Sequence, residues 1–248
     1  MLRSFADGRL FGSVTGAGAP RVLALHGWAR THRDFDAVLA PQGRAPLPAI
    51  ALDLPGFGAS PPPAEVWGAA DYAQAVGPIV DEMHVPVVLL GHSFGGRVAL
   101  HLANQRPESI AALVLTGVPF LHAAGRGARV APAYKLIRTL HRVKLVSDDA
   151  MEAARQRFGS ADYRAAQGIM RQVHVRSVNE TYEAQLDAVR CPVHLVWGAD
   201  DTAAPLEMAQ RAVARIAQGD LAVFPGVGHM TPLKIPDALH DAVTACLS

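Results

Sequence analysis

The 248-residue sequence predicts an α/β protein in which a mostly parallel sheet is wound between helices. Two observations carry that prediction. Short apolar runs recur at residues 21–26, 48–53, 85–90, 110–115, 193–197 and 221–224, without alternation of polar and apolar positions. A strand that is apolar on both faces needs cover on both, which a parallel sheet between helical layers provides. Helix-forming segments at 69–83, 95–105, 205–217 and 236–247 separate most of these runs, and that alternation marks a wound sheet.

Composition bounds the rest. Half of the residues are hydrophobic and 18% are charged, as in a folded domain with a large core. The net charge of +1 provides no global field for nucleic acid or an anionic membrane. Cys191 and Cys246 form neither a disulfide framework nor a metal-ligand spacing, so a reducing compartment, the cytoplasm, is expected. The first residues show no apolar run of signal-peptide type, and stretches such as 85–90 are too short to span a bilayer.

Residues 2–15 read as two strands joined at Asp7-Gly8, a dipeptide that tolerates the positive φ of a tight hairpin. The next run ends in His26-Gly27-Trp28. Either this is an ordinary strand-end turn, or the glycine brings the loop close to a reacting centre and the Trp28 N–H serves as an oxyanion donor. The run at 48–53 leads into Asp53-Leu54-Pro55-Gly56-Phe57-Gly58.

After the run at 85–90 comes Gly91-His92-Ser93-Phe94-Gly95-Gly96, a G-x-S-x-G pattern between a strand and a helix. A sharp strand-to-helix turn crowds its neighbours, so the flanking positions cannot carry a Cβ, and the central serine is held strained with its hydroxyl projecting. The helix N-terminus then aims the Phe94 N–H at the same point. A plain tight turn would use the same glycines. A phosphate loop would not fit, because no Lys-Ser or Lys-Thr follows and no G-x-G-x-x-G is present. His92 is expected to pack or hydrogen-bond beneath the turn, and Arg97 to form an ion pair on the helix.

Residues 119–186 break the rhythm, with helix-forming sequence and no strand-like run. A helical insertion between core strands is the expectation, and such insertions serve as lids or caps. It holds eleven basic residues (Arg126, Arg129, Lys135, Arg138, Arg142, Lys144, Arg155, Arg157, Arg164, Arg171 and Arg176) against six acids, a net +5, while the remainder carries −4. Solvated, partly paired helices account for this plainly. The sharper reading is recognition of an anionic substrate or an acidic carrier protein.

Beyond the run at 193–197 lies Gly198-Ala199-Asp200-Asp201, followed by Pro205 before a helix. A carboxylate at the carboxyl end of a parallel strand sits where ligands bind, and one of the two acids also suits a helix cap. After the last run, Gly228-His229 lies on a loop ahead of Thr231-Pro232. The order serine, acid, histidine is the one this kind of sheet requires. The other histidines form no metal-binding spacing.

His26-Gly27, the Asp53–Gly58 loop, the elbow at 91–96, Gly198-x-x-Asp201-x-x-x-Pro205 and Gly228-His229 together resemble the α/β-hydrolase superfamily, within its group carrying a helical cap. The resemblance spans essentially the whole chain. It implies about eight strands, a core of residues 1–118 and 187–248 with a cap at 119–186, and Asp201 rather than Asp200 as the acid. It gives the Asp53 loop a structural role. The expected function is hydrolysis of a carboxylic ester through an acyl-enzyme, with Ser93, Asp201 and His229 catalytic, Trp28 and Phe94 as oxyanion donors, and no cofactor or metal. The expected partner is a small acyl substrate, with no nucleic acid or membrane. Serine in place of aspartate at the elbow argues against epoxide-hydrolase and haloalkane-dehalogenase chemistry. A thioesterase, lactonase, amidase, C–C bond hydrolase or perhydrolase of this fold remains open, as does a non-catalytic protein that holds a small ligand in the same pocket.

Overall fold

A computed structural model describes residues 2–121 and 132–247. Its strands are β1 (Leu2–Phe5), β2 (Leu10–Thr15), β3 (Val22–Leu25), β4 (Ala49–Asp53), β5 (Val87–His92), β6 (Ile110–Thr116), β7 (Val193–Gly198) and β8 (Gly219–Phe224). They form one sheet in the order β1-β2-β4-β3-β5-β6-β7-β8. β2 pairs antiparallel with β1 and β4, and every later pairing is parallel. This is the α/β-hydrolase fold. The hairpin turns where expected, with positive φ at Ala6, Asp7 and Gly8.

The helices are α1 (Asp36–Leu39), α2 (Ala69–Glu82), α3 (Phe94–Gln105), α4 (Pro132–Arg142), α5 (Asp148–Phe158), α6 (Ala161–Ala165), α7 (Gly168–Asn179), α8 (Glu183–Ala188), α9 (Leu206–Val213), α10 (Thr231–Lys234) and α11 (Pro236–Ala245). The central strands are buried on both sides, and their side chains split by parity. Leu23, Leu25 and Leu89 join α2 and α3 in one apolar cluster, while Val22, Ala24, Val88 and Leu90 join α1 and α11 in the other. Each fully buried Leu or Val among these contributes about 1.5–3 kcal/mol.

Three boundaries differ from the sequence reading. β5 starts at Val87, because Pro86 lacks the N–H a central strand must donate. α9 stops at Val213, since the chain must reverse in time to enter β8 at Gly219, two residues before the apolar run. β8 is not covered on both faces. It is the sheet's last strand, paired on one side to β7, and Val223 is 39% exposed. The one-turn helices α1 and α10 are too short to leave a periodic signal.

Between β6 and β7 the described residues form α4 to α8. Ser147 and Ser160 start α5 and α6, each accepting from the N–H three residues on. α7 seats on the core. Val173 is fully buried, and a Cβ on Gly56 would collide with the Met170 sulfur. Of the basic residues counted above, Arg126 and Arg129 lie outside the described residues, as does the side chain of Lys135. Among the described residues no helix is long and apolar enough to cross a membrane.

Candidate active site

β5 delivers Ser93 onto a turn with φ 51° and ψ −114°, outside the ordinary wells of an L-residue and costing on the order of 1–3 kcal/mol. The turn is held by the Ser93 N–H, which donates to the Thr116 carbonyl at 2.9 Å. Its glycines are sterically required. A Cβ on Gly95 would fall on the Leu25 carbonyl oxygen, and one on Gly91 would come 2.5 Å from the Gly96 Cα.

The loop after β8 brings His229 to this turn. Its Nε2 lies 3.1 Å from Ser93 Oγ and its Nδ1 lies 2.8 Å from Asp201 Oδ2. A carboxylate can only accept, so Nδ1 carries the proton and Nε2 is left bare toward the hydroxyl. Asp201 has a fully buried side chain. Its Oδ1 accepts from the N–H groups of Ala203 and Ala204, both at 2.8 Å. Neither acid caps the following helix, whose N-cap is Pro205 with no side-chain hydrogen bond among the described residues; Asp201 closes the preceding turn and also meets the histidine. Asp200 instead ties the two loops together, its N–H donating to the Val227 carbonyl at 2.9 Å. A hydroxyl placed against such an imidazole can pass its proton to the ring.

On the other side of Ser93, His26 is fully buried. Its Nε2 accepts the Leu54 N–H at 3.0 Å, so its Nδ1–H donates to the Gly27 carbonyl at 2.7 Å. Burial pushes its pKa down to about 4, which keeps it neutral in this role. The loop so held lies against Ser93, for a Cβ on Gly27 would come 3.3 Å from Ser93 Cβ. Trp28 packs among Phe57, Phe94 and His174, with ring centroids 4.9, 5.6 and 4.8 Å away. Phe94 is the first residue of α3, where an N–H has no intrahelical acceptor.

Asp53 has the structural role expected of it. It accepts from the His32 backbone and ring and from the Ala59 N–H. Burial pushes its pKa up, but these hydrogen bonds outweigh burial and hold the carboxyl below its usual range. His92 sits beneath the turn as expected.

Arg97 does not form the expected ion pair. It is buried, and its guanidinium donates to the carbonyls of Pro119 and Ser177 and to the Ser177 hydroxyl. The reason is position: the guanidinium sits between the two legs of the insertion, where carbonyls meet it first and the Glu180 carboxylate acts on it only through space. Two further residues escaped sequence reasoning. Gly117 has φ 59°, and a Cβ there would come 3.1 Å from the His229 ring; its only signal was a glycine ending β6. His174 reaches Trp28 from the insertion without any local signal. Among the described residues no cluster of three or more His, Cys, Asp or Glu could hold a metal.

Comparison with known proteins agrees with this architecture. The model of the Alpha/beta hydrolase family matches residues 22–242. The pimeloyl-[acyl-carrier protein] methyl ester esterase of Aromatoleum aromaticum is 30% identical over 246 residues, covering 88% of this chain and 94% of that protein. A 2-hydroxy-6-oxononadienedioate/2-hydroxy-6-oxononatrienedioate hydrolase of Cupriavidus pinatubonensis is 26% identical over 271 residues, covering 95% of this chain and 89% of that one. In fold, the chain is similar to a hydrolase from Pseudomonas aeruginosa, with a TM-score of 0.72 at 23% identity over 100% of this chain and 98% of that one.

Proposed function

The chain belongs to the alpha/beta hydrolase family and is a hydrolase of that fold, and on this premise we propose that it cleaves carboxylic esters through an acyl-enzyme on Ser93. The observation that supports this most is the line Ser93–His229–Asp201, two hydrogen bonds of 3.1 and 2.8 Å ending in a buried carboxylate. Ser93 Oγ attacks the acyl carbon as His229 Nε2 takes its proton, and Asp201 stabilises the imidazolium that forms. The carbonyl oxygen becomes an oxyanion and accepts from the Trp28 and Phe94 N–H groups. Collapse breaks the ester bond, and His229 returns the proton to the departing alcohol. Water then attacks the acyl-enzyme with His229 again as base, releasing the carboxylic acid and restoring Ser93. No step needs a metal or an organic cofactor.

In this reading residues 119–186 form a cap on the core of 1–118 and 187–248, with α7 its seated helix. The substrate carries an anionic group or rides on an acidic carrier protein, and two observations favour that. A groove of about 1280 Å³ in the insertion is lined by Arg138, Arg142, Arg155, Arg171 and Arg176. Glu152 pairs with Arg155 and Arg171, and Asp71 and Glu180 pair with Arg176. Among the described residues Arg138 and Arg142 have no carboxylate partner. The Aromatoleum relative is itself named for an ester on an acyl-carrier protein. The two cysteines are free, which fits a cytoplasmic location.

Intact-mass detection of fluorophosphonate labelling tests the nucleophile. One adduct per chain is expected on the wild type and none on Ser93→Ala. A folded wild type that takes no adduct would remove the acyl-enzyme reading in favour of a ligand-binding protein.

A further inference from the structure

We propose that Arg97 is a positioning residue that fixes α7 over the reacting centre and, through α7, the Trp28 arm of the oxyanion site. This rests on the acyl-enzyme reading given above.

Arg97 stands on α3 one helical turn after Ser93 and is 7% exposed. Its guanidinium touches both legs of the insertion. Nε and Nη2 donate to the carbonyl of Pro119, where the chain leaves β6, at 3.1 and 2.9 Å. Nη1 donates to the carbonyl and hydroxyl of Ser177, in the last turn of α7, at 2.7 and 2.9 Å. The guanidinium also lies 5.4 Å from the centre of the Tyr182 ring, on the returning leg. These are neutral acceptors. The terminal carbonyls of α7 carry the negative end of its dipole, which favours a cation there. A planar fork can serve two carbonyls in fixed directions, and an ammonium cannot.

What α7 does with that anchorage follows from its spacing. Met170, His174 and Ser177 share one face, at i, i+4 and i+7. Met170 fills the space over Gly56, His174 lies 4.8 Å from the Trp28 ring, and Ser177 is held by Arg97. A shift at Ser177 is carried one turn along a rigid helix to the ring that rests on Trp28. The helix that begins at the nucleophile thereby sets the oxyanion loop by way of the insertion. The Arg97 guanidinium has no hydrogen bond to Ser93 or His229 among the described residues.

The test is turnover per titrated site. Fluorophosphonate counts competent Ser93 in the wild type, Arg97→Lys and Arg97→Met, and kcat on a short neutral ester is divided by that count. Arg97→Lys should still take one adduct per chain while kcat per site falls roughly tenfold, with KM nearly unchanged and the pH profile unmoved. His174→Ala should cost a similar factor. The Arg97→Lys, His174→Ala double variant should then cost little more than either, since both act through α7. A wild-type kcat per site in Arg97→Lys, with only the titratable fraction or Tm reduced, would reduce Arg97 to a stability role and overturn the proposal. Additive losses in the double variant would overturn the route through α7. Absence of any adduct on the wild type would instead take down the nucleophile reading, and this proposal with it.

Discussion

His92, the residue immediately before Ser93, donates its Nε2–H to the carbonyl of His229 over 2.9 Å. A carbonyl only accepts, so this nitrogen is the protonated one, and Nδ1 is bare and buried with no hydrogen-bond partner among the described residues. The bond joins the end of β5 to the main chain of the loop carrying His229, independently of what the His229 side chain is doing. Removing the donor should loosen that loop. His92→Leu is expected to lower kcat about tenfold or more and to cost roughly 1–3 kcal/mol of stability, with His92→Gln recovering part of both. Steady-state kinetics and urea denaturation would show this. A His92→Leu enzyme with wild-type kcat would show that the loop is held well enough without the bond.

His26 and His92 also set a pH dependence of stability. Burial lowers both to about 4 from an ordinary 6.5; for His92 the field of His229 adds to burial. Between these values the unfolded chain binds protons that the folded one refuses, so stability rises with pH across the interval and is lost as pH falls from about 6.5 toward 4. The loss is on the order of 3 kcal/mol for each histidine and levels off below 4. Urea midpoints at pH 4.5 and pH 7 should differ accordingly, and His26→Asn should flatten the slope. A flat wild-type profile over that interval would mean that neither ring is neutral in the fold for the reason given.

Ser93→Ala, His229→Ala and Asp201→Asn test the proposed chemistry. The first two should each lower kcat by about four orders of magnitude or more, and the Ser93→Ala, His229→Ala pair should be little worse than either alone. Asp201→Asn should lose less, keeping the turn bonds of Oδ1 to Ala203 and Ala204 while failing to hold the Nδ1–H tautomer. Multiplicative losses in the serine–histidine pair would mean that the two do not act in one step.

Gly117 separates strain from contact. Gly117 and Gly43 both have positive φ, 59° and 77°, but a Cβ at Gly43 meets nothing within 4 Å, whereas at Gly117 it meets the His229 ring. Both alanine variants should lose about 1 kcal/mol of stability from the backbone alone. Only Gly117→Ala should also lower kcat, because the imidazole must yield a few tenths of an ångström. Equal kcat values for the two variants would rule out crowding at His229.

The strands and the loops carrying Ser93, Asp201 and His229 were legible because their constraints are local. A strand covered on both faces must be apolar at successive residues, and the elbow's tight turn must have glycine at 91 and 95. The partners of Arg97 were not legible. Ser177 lies eighty residues away, and whether a guanidinium meets a carboxylate or a helix end depends on how α7 seats. The contact of His174 with Trp28 has the same origin. Exposure of β8 was missed for a related reason, since an edge strand and a central strand can share one apolar run, and only topology distinguishes them.

The arginine groove makes the last prediction. Arg138 and Arg142 are exposed and line one wall of it, and their charges act on an arriving anion across water, where a Debye length near 10 Å at 0.1 M salt governs the attraction. If an anionic group docks there, kcat/KM for an ester bearing a distal carboxylate, or carried on an acidic protein, should fall steeply as salt is raised from 0.02 to about 0.5 M. A neutral ester of the same acyl length should be nearly flat. Reversing both charges, Arg138→Glu with Arg142→Glu, should lower kcat/KM for the anionic ester while leaving the neutral one unchanged, since neither residue touches Ser93 or its partners. The loss should appear in KM and in the association rate rather than in kcat, because the groove is remote from the bond being cleaved. Parallel salt curves for the two esters would leave the groove as a solvated surface of the insertion with no part in choosing the substrate.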